Sequence, residues 1–420
     1  MTTDPAVPGV SADAVLNRAA ELDARDPLAH LRRRFVEPGE DLVAYFDGNS
    51  LGRPLTATRE HLARFVDEVW AARLIRAWDE NWMDSPTELG DLIGRVVLGA
   101  GPGQTVVADS TTVLLYKLCR AAVRARPGRG EILLDRDNFP TDRFVLEGVA
   151  EECGLRLRWI TPEPGEGVTV EQVVANTGPD TALVLLSHVA YRSGHLADMP
   201  RITAAAHDAG ALVLWDLCHS AGAVPTELDA WDVDLAVGCT YKYLNGGPGA
   251  PAFAYVARSL QPDLRQPVQG WMGAADPFAM ADSYRPADGI RRMISGTPPV
   301  LGMLPMRDML HLIDEAGMAA VRRKSVALTQ YAVELADTLL VPLGVRVASP
   351  RDPDRRGSHV TLDHPAFRAV TAELWKRGVI PDFRPPQAMR IGLSPLSTSF
   401  TEVARGLTEV RDALLRAEAG

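Results

Sequence analysis

The sequence predicts an α/β protein, in which a large domain on a mostly parallel sheet, covered by helices on both faces, is followed by a smaller α+β unit. Three observations predict it. Residues 105–256 alternate short β-branched runs with helix-length amphipathic stretches. Polar residues with usable chemistry stand just beyond the predicted strands, where open α/β sheets collect their ligands. The pattern then changes after a Gly- and Pro-rich passage at 295–305.

Strands are expected at 105–108, 131–135, 156–160, 182–187, 211–215, 234–238 and 252–256, each a short apolar run bounded by turn residues. Between them fall helices at 111–123, 142–152 and 200–208, the last opening on Pro200, which suits a first helical turn. Beyond the Gly/Pro passage come a long helical stretch at 306–340, strands at 345–348 and 359–362, a helix at 365–377, a strand at 389–393 and a last helix from Glu402. This divides the chain into a 1–60 N-terminal segment contributing to the active site and the small domain, a 61–305 large domain, and a 306–420 small C-terminal domain.

A chain of 420 residues, 46% hydrophobic and 23% charged, can bury the cores that this plan requires. The formal net charge of −10 argues against nucleic-acid binding and favours small molecules as partners. Cys119, Cys153, Cys218 and Cys239 have no paired metal or redox spacing and read as reduced thiols. The start Met-Thr-Thr-Asp-Pro lacks a signal-peptide pattern, and no apolar run nears the roughly 18 residues of a membrane span, so a cytoplasmic protein without a membrane partner is expected. Nor do the histidines show metal-ligand spacing, and no metal is expected.

After the first strand stand Ser110, Thr111 and Thr112, at a helix start where free N–H groups favour a phosphate that the hydroxyls can also bind, although an ordinary N-cap would also explain such residues. Phe139, beyond the second strand, could stack on a flat ring. Asp216 ends the run Ala-Leu-Val-Leu-Trp, and a protonated pyridine nitrogen would keep its carboxylate ionised at the rim of a buried strand. Lys242 follows the next strand, and its neighbour Tyr241 offers a phenol. The other lysines, Lys117, Lys324 and Lys376, read as surface positions. Phosphate cup, aromatic, acid and lysine follow in strand order, and together they match pyridoxal 5′-phosphate (PLP) held through an imine on Lys242. Arg390 could clamp a substrate carboxylate.

The chain also resembles the kynureninase family over about 45–400. The motifs are Tyr-Phe-Asp-Gly-Asn-Ser-Leu-Gly at 45–52, Asn-Phe-Pro-Thr-Asp at 138–142, Trp-Asp-Leu-Cys-His-Ser-Ala-Gly at 215–222, Tyr-Lys-Tyr-Leu-Asn at 241–245, Gly-Trp-Met-Gly at 270–273 and Ser-Gly-Thr-Pro-Pro at 295–299. The resemblance implies the fold-type-I PLP-dependent transferase fold and a homodimer whose two subunits build each site. It implies hydrolytic cleavage between Cβ and Cγ of L-kynurenine to anthranilate and L-alanine, with Lys242, Asp216 and Tyr241 as catalytic residues. It assigns Thr111, Thr112, Phe139, Asp142, Ser187, Asp216, His219, Tyr241, Lys242, Trp271 and Thr297 to the cofactor, and Arg390, Asn49, Ser50 and Trp78 to the substrate. Trp82, one helical turn from Trp78, is the other candidate for the aromatic wall.

Thr297 and Trp78 stand where animal-type members carry Asn and His, which suggests kynurenine over 3-hydroxykynurenine. The sequence departs from the family at Cys218, a usual Ala, and at 393–397, which lacks a usual Tyr. Tyr241 is expected to protonate Cβ, its acidity increased by nearby positive charge. The rival chemistry is a cysteine desulfurase-like or β-eliminating lyase. It would want a mobile nucleophilic cysteine, whereas all four here read as lying in helices or strands. A nicotinamide-dependent dehydrogenase would show G-x-G-x-x-G after an early strand, which this sequence lacks.

Overall fold

A computed structural model describes residues 11–419, Pro164 excepted. The first ten residues of the 1–60 segment, with its Met-Thr-Thr-Asp-Pro start, and Gly420 of the 306–420 unit lie outside the described residues.

After the short β1 (Ala44–Tyr45) come the seven strands of one sheet: β2 (Thr105–Ala108), β3 (Glu131–Asp135), β4 (Arg156–Ile160), β5 (Thr181–Ser187), β6 (Leu212–Asp216), β7 (Leu235–Gly238) and β8 (Ala252–Val256). Their order is β2-β8-β7-β6-β5-β3-β4. Only β8 is reversed, antiparallel to both β2 and β7, while the neighbours from β7 through β4 are parallel. In β6, Leu212 and Leu214 enter the core on one face, and Val213 and Trp215 enter the core on the other. Burial on both faces is why these strands, except the edge strand β4 with its exposed Arg156 and Arg158, read as apolar runs, each fully buried side chain contributing roughly 1.5–3 kcal/mol.

The second sheet contains β9 (Arg346–Val347), β10 (His359–Asp363), β12 (Asp382–Arg384) and β13 (Ala388–Gly392), in the order β12-β13-β10-β9, all pairs antiparallel. The two-residue β11 (Val379–Ile380) pairs in parallel with β1, which ties the N-terminal segment to this unit. Val15, Ala19, Ala44 and Phe46 share a core with Leu328, Val360, Ile391 and Leu407.

The helix expected at 306–340 is two helices, Val300–Ala316 and Met318–Leu339, separated by Gly317 at φ 76, where a side chain would be strained. The surface assignment of two lysines is also corrected. Lys117 is fully buried, 2.5 Å from Asp109 and 2.6 Å from the Met293 carbonyl oxygen. Lys324 is buried against Asp26, with its ammonium 4.2 Å from the Phe400 ring centroid. Only Lys376 is exposed as expected. Lys324 follows two arginines and Lys117 sits among apolar residues, and neither pattern shows the acid, Asp26 or Asp109, that the fold brings to the amine. No described helix is long and apolar enough to cross a membrane.

Candidate active site

Three elements converge on Lys242. The parallel strands deliver their carboxyl-terminal residues to one rim, with Ser187 ending β5 and Asp216 ending β6. The loop after β7 carries Cys239, Tyr241 and Lys242, and the second sheet closes over them with β10 and β13. Lys242 is only 8% exposed, its Nζ 3.0 Å from His219 Nε2 and 6.0 Å from the Phe139 ring centroid. Phe139 meets Tyr191 edge-on at 5.3 Å.

His219 follows Asp216 by three residues, a spacing that the turn after β6 brings to the lysine. Burial first, then the charges of Lys242 and Arg390, push its imidazole well below its ordinary pKa, so it stays neutral. Asp216 Oδ1 accepts a hydrogen bond from the Cys218 amide at 2.7 Å. Asp142, in the first turn of the helix Pro140–Cys153, lies against Asp216, and burial followed by the Asp216 and Asp135 charges pushes its pKa far up, favouring the neutral acid. Ser187 Oγ donates to Asn138 Oδ1 at 2.7 Å.

A cavity of about 490 Å³ lies beside this cluster, lined by Ser110, Thr111, Thr112, Tyr241 and Thr297 among others. Ser110 serves as the N-cap, accepting from the Val113 amide at 3.4 Å, which leaves the Thr111 and Thr112 hydroxyls for a ligand. The expected acidification of Tyr241 is overturned. Burial first, then Cys239 and Cys218, raise its phenol well above the ordinary value, because the low-dielectric surroundings and nearby negative charge penalise a phenolate. The strand-or-helix reading of all four cysteines is likewise corrected for Cys218 and Cys239, which stand beyond β6 and β7. Both are buried, and the Cys239 amide lies 3.2 Å from Cys218 Sγ, so neither is a mobile nucleophile.

Arg390 lies at the middle of β13, 1% exposed. Its Nε donates to Asp382 at 2.7 Å, Nη1 to the Tyr191 carbonyl at 2.8 Å and Nη2 to Ser50 Oγ at 3.2 Å. Asn49 is fully buried, and neither of its amide atoms has a hydrogen-bond partner among the described residues. Asp47, in the same N-terminal turn, has its pKa pushed up to about 6 by burial first and then by Asp382, against the lowering hydrogen bond of Ser50 and charge of Arg390.

Two predicted residues are not brought to Lys242 within this chain. Trp271 is 43% exposed and packs edge-on against Phe278 at 5.9 Å. Trp78 is half-buried, edge-on to Trp82 at 5.3 Å, while Trp82 lies near Phe65 at 5.9 Å. Residue reasoning missed Asp47, Asp382, Tyr191 and His359, since the strand-end rule for parallel sheets does not reach an antiparallel sheet closing from above. Asp47 sits inside the quoted 45–52 motif, which was the available signal.

The site has what PLP would need: a buried amine, an acid-bearing rim, an aromatic beside the amine, and hydroxyls at a helix start. Among the described residues, the buried Asp142 Oδ2 and His219 Nδ1 have no hydrogen-bond partner, which adds polar capacity at the site. Similar solved structures include the apo cysteine desulfurase from Thermococcus onnurineus NA1, at TM-score 0.76 and 18% identity, covering 90% of this chain and 94% of that one. The cystine C–S lyase C-DES in complex with cysteine persulfide aligns at TM-score 0.77 and 18% identity, covering 88% and 97%. The fold is that of the fold-type-I PLP-dependent enzymes.

Sequence relatives narrow this class. The kynureninase of Pseudomonas fluorescens is 41% identical over 92% of both chains, and that of Deinococcus radiodurans is 41% identical over 94% of this chain and 95% of its own. The family model described as "Kynureninase C-terminal domain" matches residues 321–410. The chain belongs to the kynureninase family.

Proposed function

We propose that this chain holds PLP on Lys242 and hydrolyses the Cβ–Cγ bond of L-kynurenine, yielding anthranilate and L-alanine. The observation that carries this reading is the buried Lys242 amine, 3.0 Å from His219 Nε2 and 6.0 Å from the Phe139 ring centroid, with Arg390 near enough to act on the same imidazole. When bound, PLP supplies an electron sink for charge developing on the carbon next to the substrate amine.

The chain's residues do the rest. Thr111, Thr112 and the helix start would hold the phosphate, with Thr297 and Tyr241 on the same cavity wall. Asp216, backed by a neutral Asp142, would keep the ring nitrogen protonated. Phe139 would lie against the ring, and Ser187 and His219 would border it. Arg390 would take the substrate α-carboxylate, with Asn49 and Ser50 beside it, and so orient the Cα–H bond towards the Lys242 amine that removes and returns protons. Tyr241, whose raised pKa keeps the phenol protonated, would deliver a proton to Cβ.

Trp271 and Trp78 enter this scheme through a homodimer, in which the partner would bring them to the site. The exposed Trp70, Ile75, Trp271, Phe278 and Met280 support such an association. The cell compartment proposed is the cytoplasm, and the three-part division at 60 and 305 belongs to the same reading. Adding L-kynurenine to the purified protein should release anthranilate fluorescence and equimolar alanine. Sulfide from cysteine without anthranilate would instead indicate the desulfurase-like chemistry.

A further inference from the structure

Resting on that reading, we propose that His359, together with His219 and Asn49, holds the water molecule that the hydrolysis consumes. In the antiparallel pair of β10 and β13, His359 stands opposite Gly392 and Thr361 opposite Arg390, so His359 and Arg390 project from the same face of the sheet. Gly392 has no side chain there, and the Asn49 amide fills the space that its Cβ would claim. On the other side, the His359 ring lies 5.6 Å from that of His219, whose Nε2 faces Lys242. Asn49 and His219 thus flank His359, with Arg390 on the same sheet face and Lys242 against His219.

All three are at least nine-tenths buried, and all keep atoms with no hydrogen-bond partner among the described residues: both amide atoms of Asn49, both ring nitrogens of His359, and Nδ1 of His219. The Tyr191 and Arg192 carbonyls face the His359 ring without reaching hydrogen-bond geometry. Leaving buried donors and acceptors bare is costly, and a small polar ligand shared among them lowers that cost. Burial and the charges of Arg390 and Lys242 keep the His359 imidazole neutral, so it has one donor and one acceptor nitrogen. From the hydrogen-bond pattern we assign the His219 proton to Nδ1, with Lys242 donating to Nε2. Water can then accept from His219 and donate to His359, with its oxygen turned towards the carbonyl.

The O–H bond of water breaks as its oxygen bonds to the γ-carbonyl carbon, whose C=O π pair moves onto the carbonyl oxygen. That pair re-forms the carbonyl as the Cβ–Cγ bond breaks with its electrons on Cβ. Cβ takes its proton from Tyr241, and the proton released by water returns to the phenol, so that His359 positions the water and stays neutral throughout. Hydroxyl ends on the aromatic carboxyl and hydrogen on alanine, with no oxidant or reductant.

The test compares His359→Ala and His359→Gln with the unsubstituted holoenzyme. In His359→Ala, kcat for anthranilate should fall about 100-fold, with KM and the visible cofactor band little changed. Solvent-deuterium exchange at the substrate Cα, which needs Lys242 but no water, should persist. His359→Gln, able to hold water through its amide, should recover about tenfold over Ala. Independently of turnover, a crystal structure of the holoenzyme should show an ordered solvent peak between His219, His359 and Asn49, absent in His359→Ala. Anthranilate formation within threefold of normal in a folded His359→Ala protein overturns the proposal, as does exchange that falls in parallel with hydrolysis, or the absence of that solvent peak. An unsubstituted enzyme that makes no anthranilate would instead refute the function, while the solvent peak would still judge the water site.

Discussion

At the residue scale, one environment imposes different states on neighbouring groups. Tyr241 keeps its proton because burial penalises a phenolate. Tyr241→Phe should therefore retain the cofactor band yet lose turnover by about 10²–10⁴, measured as steady-state anthranilate release. Arg390 is aimed by Asp382, which engages its Nε and Nη2. Asp382→Ala should free the guanidinium to swing away, raising KM for kynurenine at least tenfold while the cofactor spectrum stays constant. Asp47 gives a pH signature. Its folded pKa of about 6 lies above the reference of 3.8, so the folded chain binds this proton more tightly than the unfolded one. Its contribution to stability is full in acid and falls as pH rises from about 4 to 6, by roughly 3 kcal/mol in all. His188 and His195, lowered to about 3 and 4, titrate with the opposite sign. The difference between the wild-type and Asp47→Asn urea curves across that window isolates the carboxylate, and identical slopes would contradict its burial. Asp216, Lys242 and the threonines were legible because each follows a strand. His359 and Asp382 were not, because their role comes from a sheet folded back across the rim.

The elements divide along the same line. Strands β2 to β8 were readable to within a residue, since burial on both faces writes an apolar run into all but the edge strand β4, where exposed Arg156 and Arg158 alternate with less exposed residues. The short β11 and β12 carry no such run, and β12 is set by pairing with β13 and by the Asp382–Arg390 ion pair. Periodicity likewise merged two helices, because apolar residues continue in phase on both sides of Gly317. Its φ of 76 is what breaks them. Gly317→Ala should lower the unfolding free energy by about 1–2 kcal/mol, read as a shift of the urea midpoint without a change in activity.

The whole molecule places an antiparallel lid over the carboxyl edge of a parallel sheet, and the active residues come from both. The N-terminal turn joins the lid through β1 and β11, which is why Asn49 and Ser50 reach Arg390 from some 340 positions away in sequence. A chain of 45.5 kDa with exposed Trp271 and Phe278 should sediment as a dimer of twice that mass. Loss of the dimer on Trp271→Glu should be accompanied by loss of turnover. The most direct measurement concerns Lys242 itself. Borohydride reduction of the purified holoenzyme, followed by peptide mass spectrometry, should bleach the visible band and leave a pyridoxyl group on the peptide containing Lys242. Label on Lys117, Lys324 or Lys376 instead, or no label at all, would contradict the account.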